Sequence, residues 1–253
     1  MTNRFLTSAA LGCAFAFATL AGAAQAQQTP NQWEYGITLY GWGTGMNGDV
    51  GVKGLPPASF DQSFSDLVSN LDFAAMGLIE ARKGKYGLLV DLVYADLSND
   101  DTGPAGFVKA DADISQFIGT AAMTYTVAQS AKTRVDLVGG ARYFDLDGDL
   151  TLTPNNPSLP AQSGSQSKSW VDAVGGVKLH VDLSEHWAIN GWGLGGAGGS
   201  DYEWDVMGAL SYKFSKHWVA SGGYRALAVD YSDDGFVYDV TMQGFLLGIS
   251  YKF

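Results

Sequence analysis

The last stretch of the chain, residues 236–253, decides the fold and reads FVYDVTMQGFLLGISYKF. Its apolar side chains recur at every second position from Phe245 to Phe253. A period of two is typical of a β-strand, in which successive side chains point to opposite faces. The stretch is also longer than the roughly 9–11 residues that a tilted strand needs to cross a bilayer.

The same period extends back through the chain to Trp33 and predicts an all-β fold. The ten predicted strands span residues 33–46, 70–83, 86–98, 111–127, 133–149, 169–183, 187–197, 202–214, 218–231 and 236–253. Short turns alternate with three long connections, at 47–69, 99–110 and 150–168, which are rich in Gly, Pro, Asn, Asp and Ser. This alternation predicts a single antiparallel up-and-down β-barrel of about ten strands, with eight or twelve as alternatives.

Two hairpins test the register of these strands. A two-residue turn at 84–85 pairs Ile79 with Val90 on a face that is apolar up to its basic end, and every charged residue at buried depth falls on the other face. The hairpin around residues 215–217 separates apolar and charged residues in the same way. A wrong register would mix the two kinds of residue, because a slip of one residue moves every side chain to the opposite face.

Aromatic residues cluster at the strand ends and distinguish a membrane barrel from a soluble one. One group lies near the short turns (Trp33, Tyr86, Tyr125, Trp187, Phe214, Trp218, Tyr251) and another near the long loops (Tyr94, Tyr143, Trp170, Trp204, Tyr231). Amphipathic rings favour the two membrane–water interfaces, so two such belts predict a transmembrane barrel with its short turns in the periplasm. After residue 26, no segment has the roughly 18 uninterrupted apolar residues that a spanning helix needs.

The first 26 residues have the pattern of a cleaved secretory signal peptide. Arg4 supplies the positive charge, residues 5–20 are apolar, and Ala24-Gln25-Ala26 forms a small-x-small cleavage site. We therefore predict two regions: the signal peptide at 1–26, and an outer-membrane barrel at 27–253 that is exported through the periplasm. The only cysteine, Cys13, falls in the predicted signal peptide, so the mature chain would lack a thiol.

Many charged residues fall on the predicted lumen face of the strands. The candidates for ion pairs there are Glu80, Arg82, Asp91, Arg134, Asp136, Arg142, Lys178, Glu203, Asp205 and Arg225. Buried charges must be paired, and a ten-strand barrel is little wider than one that side chains fill. We therefore expect a packed or very narrow lumen. The formal net charge of −11 disfavours nucleic acid as a partner.

No arrangement of residues predicts catalysis, a cofactor or a tightly bound metal. His186 and His217 lie in short turns and His180 lies close to one, whereas barrel enzymes are expected to use a histidine near the outer rim. The acidic run 145–149 resembles a calcium loop but lacks its spacing. Weak binding of divalent cations by outer acidic residues is a possible bridge to lipopolysaccharide.

Residues 65–70 begin with a good helix cap and admit two interpretations. One is a short helix folding over the barrel mouth, and the other is a plain loop turn.

The chain resembles small bacterial outer-membrane β-barrel proteins of the porin-like and OmpA/OmpW-like group. The resemblance covers the signal peptide and the barrel. Five segments resemble one subfamily of these proteins in particular: Ser63–Leu67, Leu71–Gly77, Glu80–Gly84, Gly140–Tyr143 and Gly223–Arg225. Tyr251 and the terminal Phe253 resemble the signal read by the barrel-assembly machinery, which the resemblance implies as a partner.

The resemblance supplies no activity. We expect a non-enzymatic, monomeric barrel in contact with outer-membrane lipid and lipopolysaccharide, acting either as an envelope-structural protein or as a narrow pore for small solutes. The alternatives are a lipid- or peptide-processing enzyme, and adhesion or ligand binding through loops 47–69 and 150–168.

Overall fold

A computed structural model describes residues 32–51, 57–102, 108–154 and 161–253 of the protein. The predicted signal peptide lies outside these residues. The strands are β1 (Trp33–Gly51), β2 (Ala58–Gln62), β3 (Leu71–Lys83), β4 (Tyr86–Thr102), β5 (Val108–Gln129), β6 (Thr133–Pro154), β7 (Gln162–Asp182), β8 (Trp187–Gly198), β9 (Tyr202–Lys213), β10 (Trp218–Asp233) and β11 (Phe236–Lys252). A single helix of the described chain, α1 (Phe64–Ser69), lies between β2 and β3.

The long strands close into a ten-strand antiparallel barrel, which confirms the predicted fold class. Each long strand pairs with its neighbour in the sequence, and β11 closes the sheet against β1 from Gly36↔Lys252 to Gly51↔Val237. The short strand β2 is an addition that pairs only with the far half of β1. The described chain has no helix that is long and apolar enough to cross a membrane.

The strands extend further from the short turns than predicted. The β5–β6 ladder continues to Val108↔Pro154, and β7 begins at Gln162. Much of the predicted loops 99–110 and 150–168 is therefore strand, and the shorter predicted bounds were wrong. The alternation Leu150-Thr151-Leu152-Thr153 continues along this ladder, although the Gly, Pro, Asn and Ser residues nearby predict a loop.

The predicted hairpin registers are present, and they separate two faces. Ile79 lies opposite Val90, and Leu210 lies opposite Gly222. The outward face is apolar and exposed around the wall, as at Leu39, Ile79, Leu88, Met123, Leu137, Val177, Leu210 and Leu247. Apolar exposure on this scale is expected only where lipid replaces water.

Cross-strand aromatic pairs form a belt at the end with the short turns, which we call the turn end. Ring centroids are 5.2 Å apart in Tyr86–Tyr125 and 4.9 Å apart in Trp218–Tyr251. At the opposite end, the loop end, the prediction was partly wrong. Trp170 and Tyr231 do not join an outer belt but are buried in the lumen. The reason is their position along the strand. Trp170 comes two residues before the lumen residue Asp172, so both side chains point to the same face of β7.

The barrel wall has an irregular seam between β1 and β3. Their ladder runs only from Trp33↔Lys83 to Leu39↔Gly77, although both strands continue toward the loop end. Beyond it, the backbone N–H of Trp42 donates to the thioether sulfur of Met76 at 3.2 Å.

Helix α1 lies beside this seam. Its N-cap is Ser63, which forms a capping box with Asp66. The Phe64 ring covers the outward face of Gly43, where an added Cβ would lie 2.9 Å from the ring. Of the two predicted alternatives, the helix is therefore the one that forms, but it starts earlier than predicted and lies against the outer wall of β1.

Candidate functional site

The lumen is filled by three layers of side chains. The ion-pair layer lies in the middle and consists of Tyr40, Asp91, Arg142, Glu203, Asp205 and Arg225. The apolar layer fills the loop-end half, and a polar turn-end layer lines the opposite half. Each layer is built from alternate residues of the strands, because every second side chain of a β-strand points into the lumen.

Arg225 is the centre of the ion-pair layer. Its Nη2 lies 2.8 Å from Asp205 Oδ2 and 2.8 Å from Asp91 Oδ2, and its Nη1 donates to the Tyr40 hydroxyl at 3.0 Å. The Tyr40 hydroxyl donates in turn to Asp91 at 2.6 Å. Because β10 and β4 lie on opposite walls of the barrel, the Arg225–Asp91 pair spans the lumen.

Arg142 extends the same layer from β6. Its guanidinium donates to Glu203 at 2.9 Å and to Asp205 at 2.7 Å, and its Nε donates to Thr120. Asp205 thus accepts from two arginines. The side chains of both arginines are only 1% exposed, so their charges are balanced by protein groups rather than by bulk water.

Two tryptophans cover the central guanidinium. The Arg225 guanidinium carbon lies 5.0 Å from the Trp42 ring centroid and 5.2 Å from that of Trp192. Cation–π contacts of this kind strengthen when water is excluded. They fix Arg225 in one orientation between its carboxylates.

The apolar layer was not predicted from the sequence. Phe144, Leu227, Val229 and Val240 are completely or almost completely buried there. Trp170 stacks on Tyr231 at 4.0 Å and on Phe144 at 4.9 Å. The sequence signal was available, because apolar residues of lumen parity occur together on β6, β7, β10 and β11.

The turn-end layer contains the other predicted ion-pair candidates. Arg134 pairs with Asp136 at 3.1 Å, and Lys178 pairs with Glu80 on the opposite wall. Arg82 does not pair with Glu80, its neighbour on the strand. Instead its guanidinium donates to the Gly84 carbonyl and to the Thr126 hydroxyl.

A small cavity separates Lys178 from the ion-pair layer. Its volume is about 10 Å³, and Thr120, Arg142 and Trp192 contribute to its lining. This is room for roughly one water molecule.

The histidines are grouped at the turn end and lack the geometry of a catalytic pair at the loop end. His180 lies 2.7 Å from Asn190 and 3.2 Å from Asp182. His186 and His217 lie in turns. Within the described chain, no group of three or more His, Cys, Asp or Glu side chains is placed to hold a metal ion.

The predicted assembly residues meet where β11 closes the barrel against β1. The Phe253 ring lies 5.0 Å from the Tyr251 ring and 6.5 Å from the Tyr35 ring. The Phe253 N–H donates to the Tyr35 carbonyl at 3.0 Å. The last residue therefore contacts the first long strand.

No protein-family model matches the sequence, and no curated protein matches it. The chain is similar to the solved structure of the outer membrane protease OmpT from Escherichia coli, with a TM-score of 0.55, 9% identity, and coverage of 90% of this chain and 99% of that chain. Weaker similarities link it to the attachment invasion locus protein Ail of Yersinia pestis (TM-score 0.34, 12% identity, 90% and 100% covered) and to CarO of Acinetobacter baumannii (TM-score 0.32, 14% identity, 83% and 97% covered). With its closed wall and exposed apolar band, the chain has the fold of the small bacterial outer-membrane β-barrel proteins.

Proposed function

We propose that this protein is a non-enzymatic integral barrel of the outer membrane whose lumen is closed, and that it serves the envelope structurally rather than as a pore. The observation that carries this proposal is the ion-pair layer, in which Arg142 and Arg225 are buried between carboxylates from other strands.

The arrangement of the two inner layers supports closure. An ion that entered from the turn end would have to displace charge pairs that are already matched. It would then have to enter the apolar layer, where transfer of an unpaired ion from water costs many kcal/mol. A solute pore of useful width needs more strands, because small barrels are filled by their own side chains.

The outer wall supports the membrane location. Exposed aliphatic residues surround the barrel, and aromatic pairs at the turn end join β4 to β5, β8 to β9 and β10 to β11. Rings of this kind are expected at a membrane interface.

The position of the histidines supports a non-enzymatic role. All three histidines of the chain lie at the turn end, and His180 is held by Asn190 and Asp182. The similarity to the protease OmpT concerns the fold alone, since identity is 9%.

Planar-bilayer recording of the refolded protein tests the proposal. We expect no conductance steps above the baseline of the bilayer in concentrated potassium chloride. Stable steps in several independent insertions would contradict the closed lumen. Turnover of peptide or lipid substrates that is lost in a His180→Ala variant would contradict the non-enzymatic role.

A further inference from the structure

We propose that four cations at the turn-end opening of the lumen form a binding site for a soluble anion that carries two or more phosphate groups. The four residues are Arg82, Arg134, Lys213 and Lys252, and we call them the basic mouth. The inference goes beyond the closed lumen, because it assigns a ligand to the opening below the ion-pair layer.

The basic mouth is built from four different strands of the barrel. Arg82 is on β3, Arg134 is on β6, Lys213 is on β9 and Lys252 is on β11. In the order of the closed sheet, neighbouring cations are two or three strands apart. Side chains that converge from several walls surround a ligand, whereas charges on a single wall only line one side of it.

The four charges are close enough to act on one another. Arg134 repels both Arg82 and Lys252, and Lys213 also repels Lys252. A cleft that is lined by charge of one sign concentrates ions of the opposite sign. The basic mouth therefore favours an anion.

Three carboxylates lie among the cations but do not fully balance them. Asp136 is bound by Arg134 at 3.1 Å, and Asp182 lies 3.2 Å from His180. Glu34 attracts the cations at longer range. Three carboxylates against four cations leave one positive charge, which a bound anion would neutralise.

The wider charge distribution acts in the same direction. Nine of the 15 lysine and arginine residues occur at the turn end, against five of the 26 aspartate and glutamate residues. The nine cations are Arg82, Lys83, Lys85, Lys132, Arg134, Lys178, Lys213, Lys216 and Lys252, and the five acids are Glu34, Glu80, Asp136, Asp182 and Glu185. The turn end is therefore positive in a protein whose formal net charge is −11, and it attracts anions that the rest of the surface repels.

The two guanidiniums of the basic mouth are fixed in position and retain hydrogen-bond donors. A guanidinium has five N–H groups. Within the described chain, Arg82 uses two of them, toward the Gly84 carbonyl and the Thr126 hydroxyl. Arg134 uses one, toward Asp136. The Thr126 hydroxyl donates to Asp136 at 2.6 Å and so links the two arginines.

Phosphate groups match these donors. Arginine binds phosphate through paired N–H bonds, and lysine binds it as a point charge. A carboxylate offers two oxygens in one plane, whereas a chain of phosphates offers oxygens on all sides and several negative charges. Cations that stand on different walls therefore fit an anion with two or more phosphate groups.

The direction of the side chains selects a soluble ligand. Lys213 and Lys252 follow Tyr212 and Tyr251, whose rings belong to the aromatic belt on the outer wall. Because alternate residues of a strand point to opposite faces, the two lysines point into the lumen and away from lipid headgroups. Both lysines are exposed, and the side chain of Arg134 is 27% exposed, so the opening is accessible from water.

Calorimetric titration of the refolded protein in phosphatidylcholine nanodiscs tests the proposal, with sodium triphosphate as the probe. At physiological salt, charges more than about 8 Å apart are largely screened, so cations that converge on the ligand dominate binding. We expect one triphosphate per barrel, bound at least about tenfold more tightly than inorganic phosphate. A titration without saturable binding, or with equal affinity for the two anions, would overturn the proposal.

Two lysines of one hairpin provide a matched comparison. Lys213→Gln and Lys216→Gln each remove one positive charge, but Lys216 lies in the turn and outside the basic mouth. We expect Lys213→Gln to weaken triphosphate binding at least about fivefold and Lys216→Gln to weaken it less than about twofold. Equal losses in the two variants would mean general attraction to a positive surface and would refute the site. Should Lys213→Gln fail to fold, Lys252→Gln serves the same purpose.

Nanodiscs that also contain phosphatidylglycerol identify the source of the phosphate. If the ligand is soluble, the affinity for triphosphate should change less than about fivefold when this anionic lipid is added. A larger loss would mean that a lipid headgroup occupies the basic mouth, and the assignment to a soluble anion would be wrong. Because titration measures binding and conductance tests the closed lumen, either proposal can fail without the other.

Discussion

Replacing Arg225 with alanine removes the central cation of the lumen. The substitution leaves Asp91 with only the Tyr40 hydroxyl among the partners described, and Asp205 with Arg142 and without Arg225. It also removes the cation between Trp42 and Trp192. All of these groups keep their buried positions in the folded barrel.

The expected cost follows from this burial. Removing one member of a buried ion pair typically costs about 3–5 kcal/mol, because the remaining charge stays desolvated. Each lost cation–π contact adds roughly 0.5–2 kcal/mol. The folded-to-unfolded ratio should therefore fall by at least about a hundredfold. The lumen should remain closed to ions, because the apolar layer does not depend on Arg225.

Urea unfolding of the protein refolded in lipid vesicles, followed by tryptophan fluorescence, measures this cost. Arg82→Ala is the matched control, since Arg82 also faces the lumen and the hydrogen bonds described for it go to Gly84 and Thr126 in the wetter turn-end layer. The control should lose less than about 1 kcal/mol. The double variant Arg225→Met/Asp91→Leu should recover much of the loss, because it removes the unpaired charge with its partner. If Arg225→Ala unfolds at the wild-type urea concentration, the ion-pair layer is not dry and our reasoning is refuted.

Four further predictions can be checked independently. Gly244→Ala should weaken closure of the barrel, because an added Cβ would lie 1.9 Å from the Gly43 carbonyl oxygen; its unfolding midpoint should fall below that of Gly208→Ala, and equal midpoints would contradict this. Deletion of Phe253 should lower the amount of assembled, heat-modifiable protein in cells more than it lowers the stability of refolded protein, and normal assembly would contradict the role of this residue. Hydrogen bonds from Ser63 hold the pKa of Asp66 below its usual value. A carboxyl with a depressed pKa contributes stability above its unfolded pKa and loses it as the pH falls through the folded pKa; the protection factors of the α1 amides, corrected for the intrinsic pH dependence of exchange, should therefore fall in acid, and Asp66→Asn should abolish that fall. Mass spectrometry of the protein from membranes should find an N-terminus at Gln27, and retention of Met1 would contradict the predicted cleavage.

The fold was predictable because its signals are local. Alternation along a strand and short turns between strands fix which residues pair, and both can be read from neighbouring segments. The Ile79↔Val90 pairing is an example. The outer strand ends were missed because the connections there are rich in Gly, Pro, Asn and Ser. This composition outweighed the alternation of Leu150-Thr151-Leu152-Thr153, whose backbone remains paired.

The lumen contacts were harder to predict, because they cross the barrel. Arg225 lies opposite Met207 on the next strand, one diagonal step from Asp205, and the structure has the Arg225–Asp205 contact at 2.8 Å. The sequence could not show that Asp91, on the opposite wall, would reach the same guanidinium. Such pairs depend on barrel diameter and on the height of each residue, which follow from tilt and stagger rather than from local pattern.

The ion-pair layer depends on the apolar layer beside it. Charged pairs are tolerated in the middle of the lumen because their geometry is nearly complete, and water would weaken them by screening. The apolar layer keeps water away from the loop-end side of Arg225, and Trp42 belongs to both layers. The turn-end side is different, since Arg134 and Asp182 are partly exposed there. The lumen is therefore dry toward the loop end and wet toward the turn end. This asymmetry is why two arginines on the same inner surface, Arg82 and Arg225, should differ so much in what they contribute to stability.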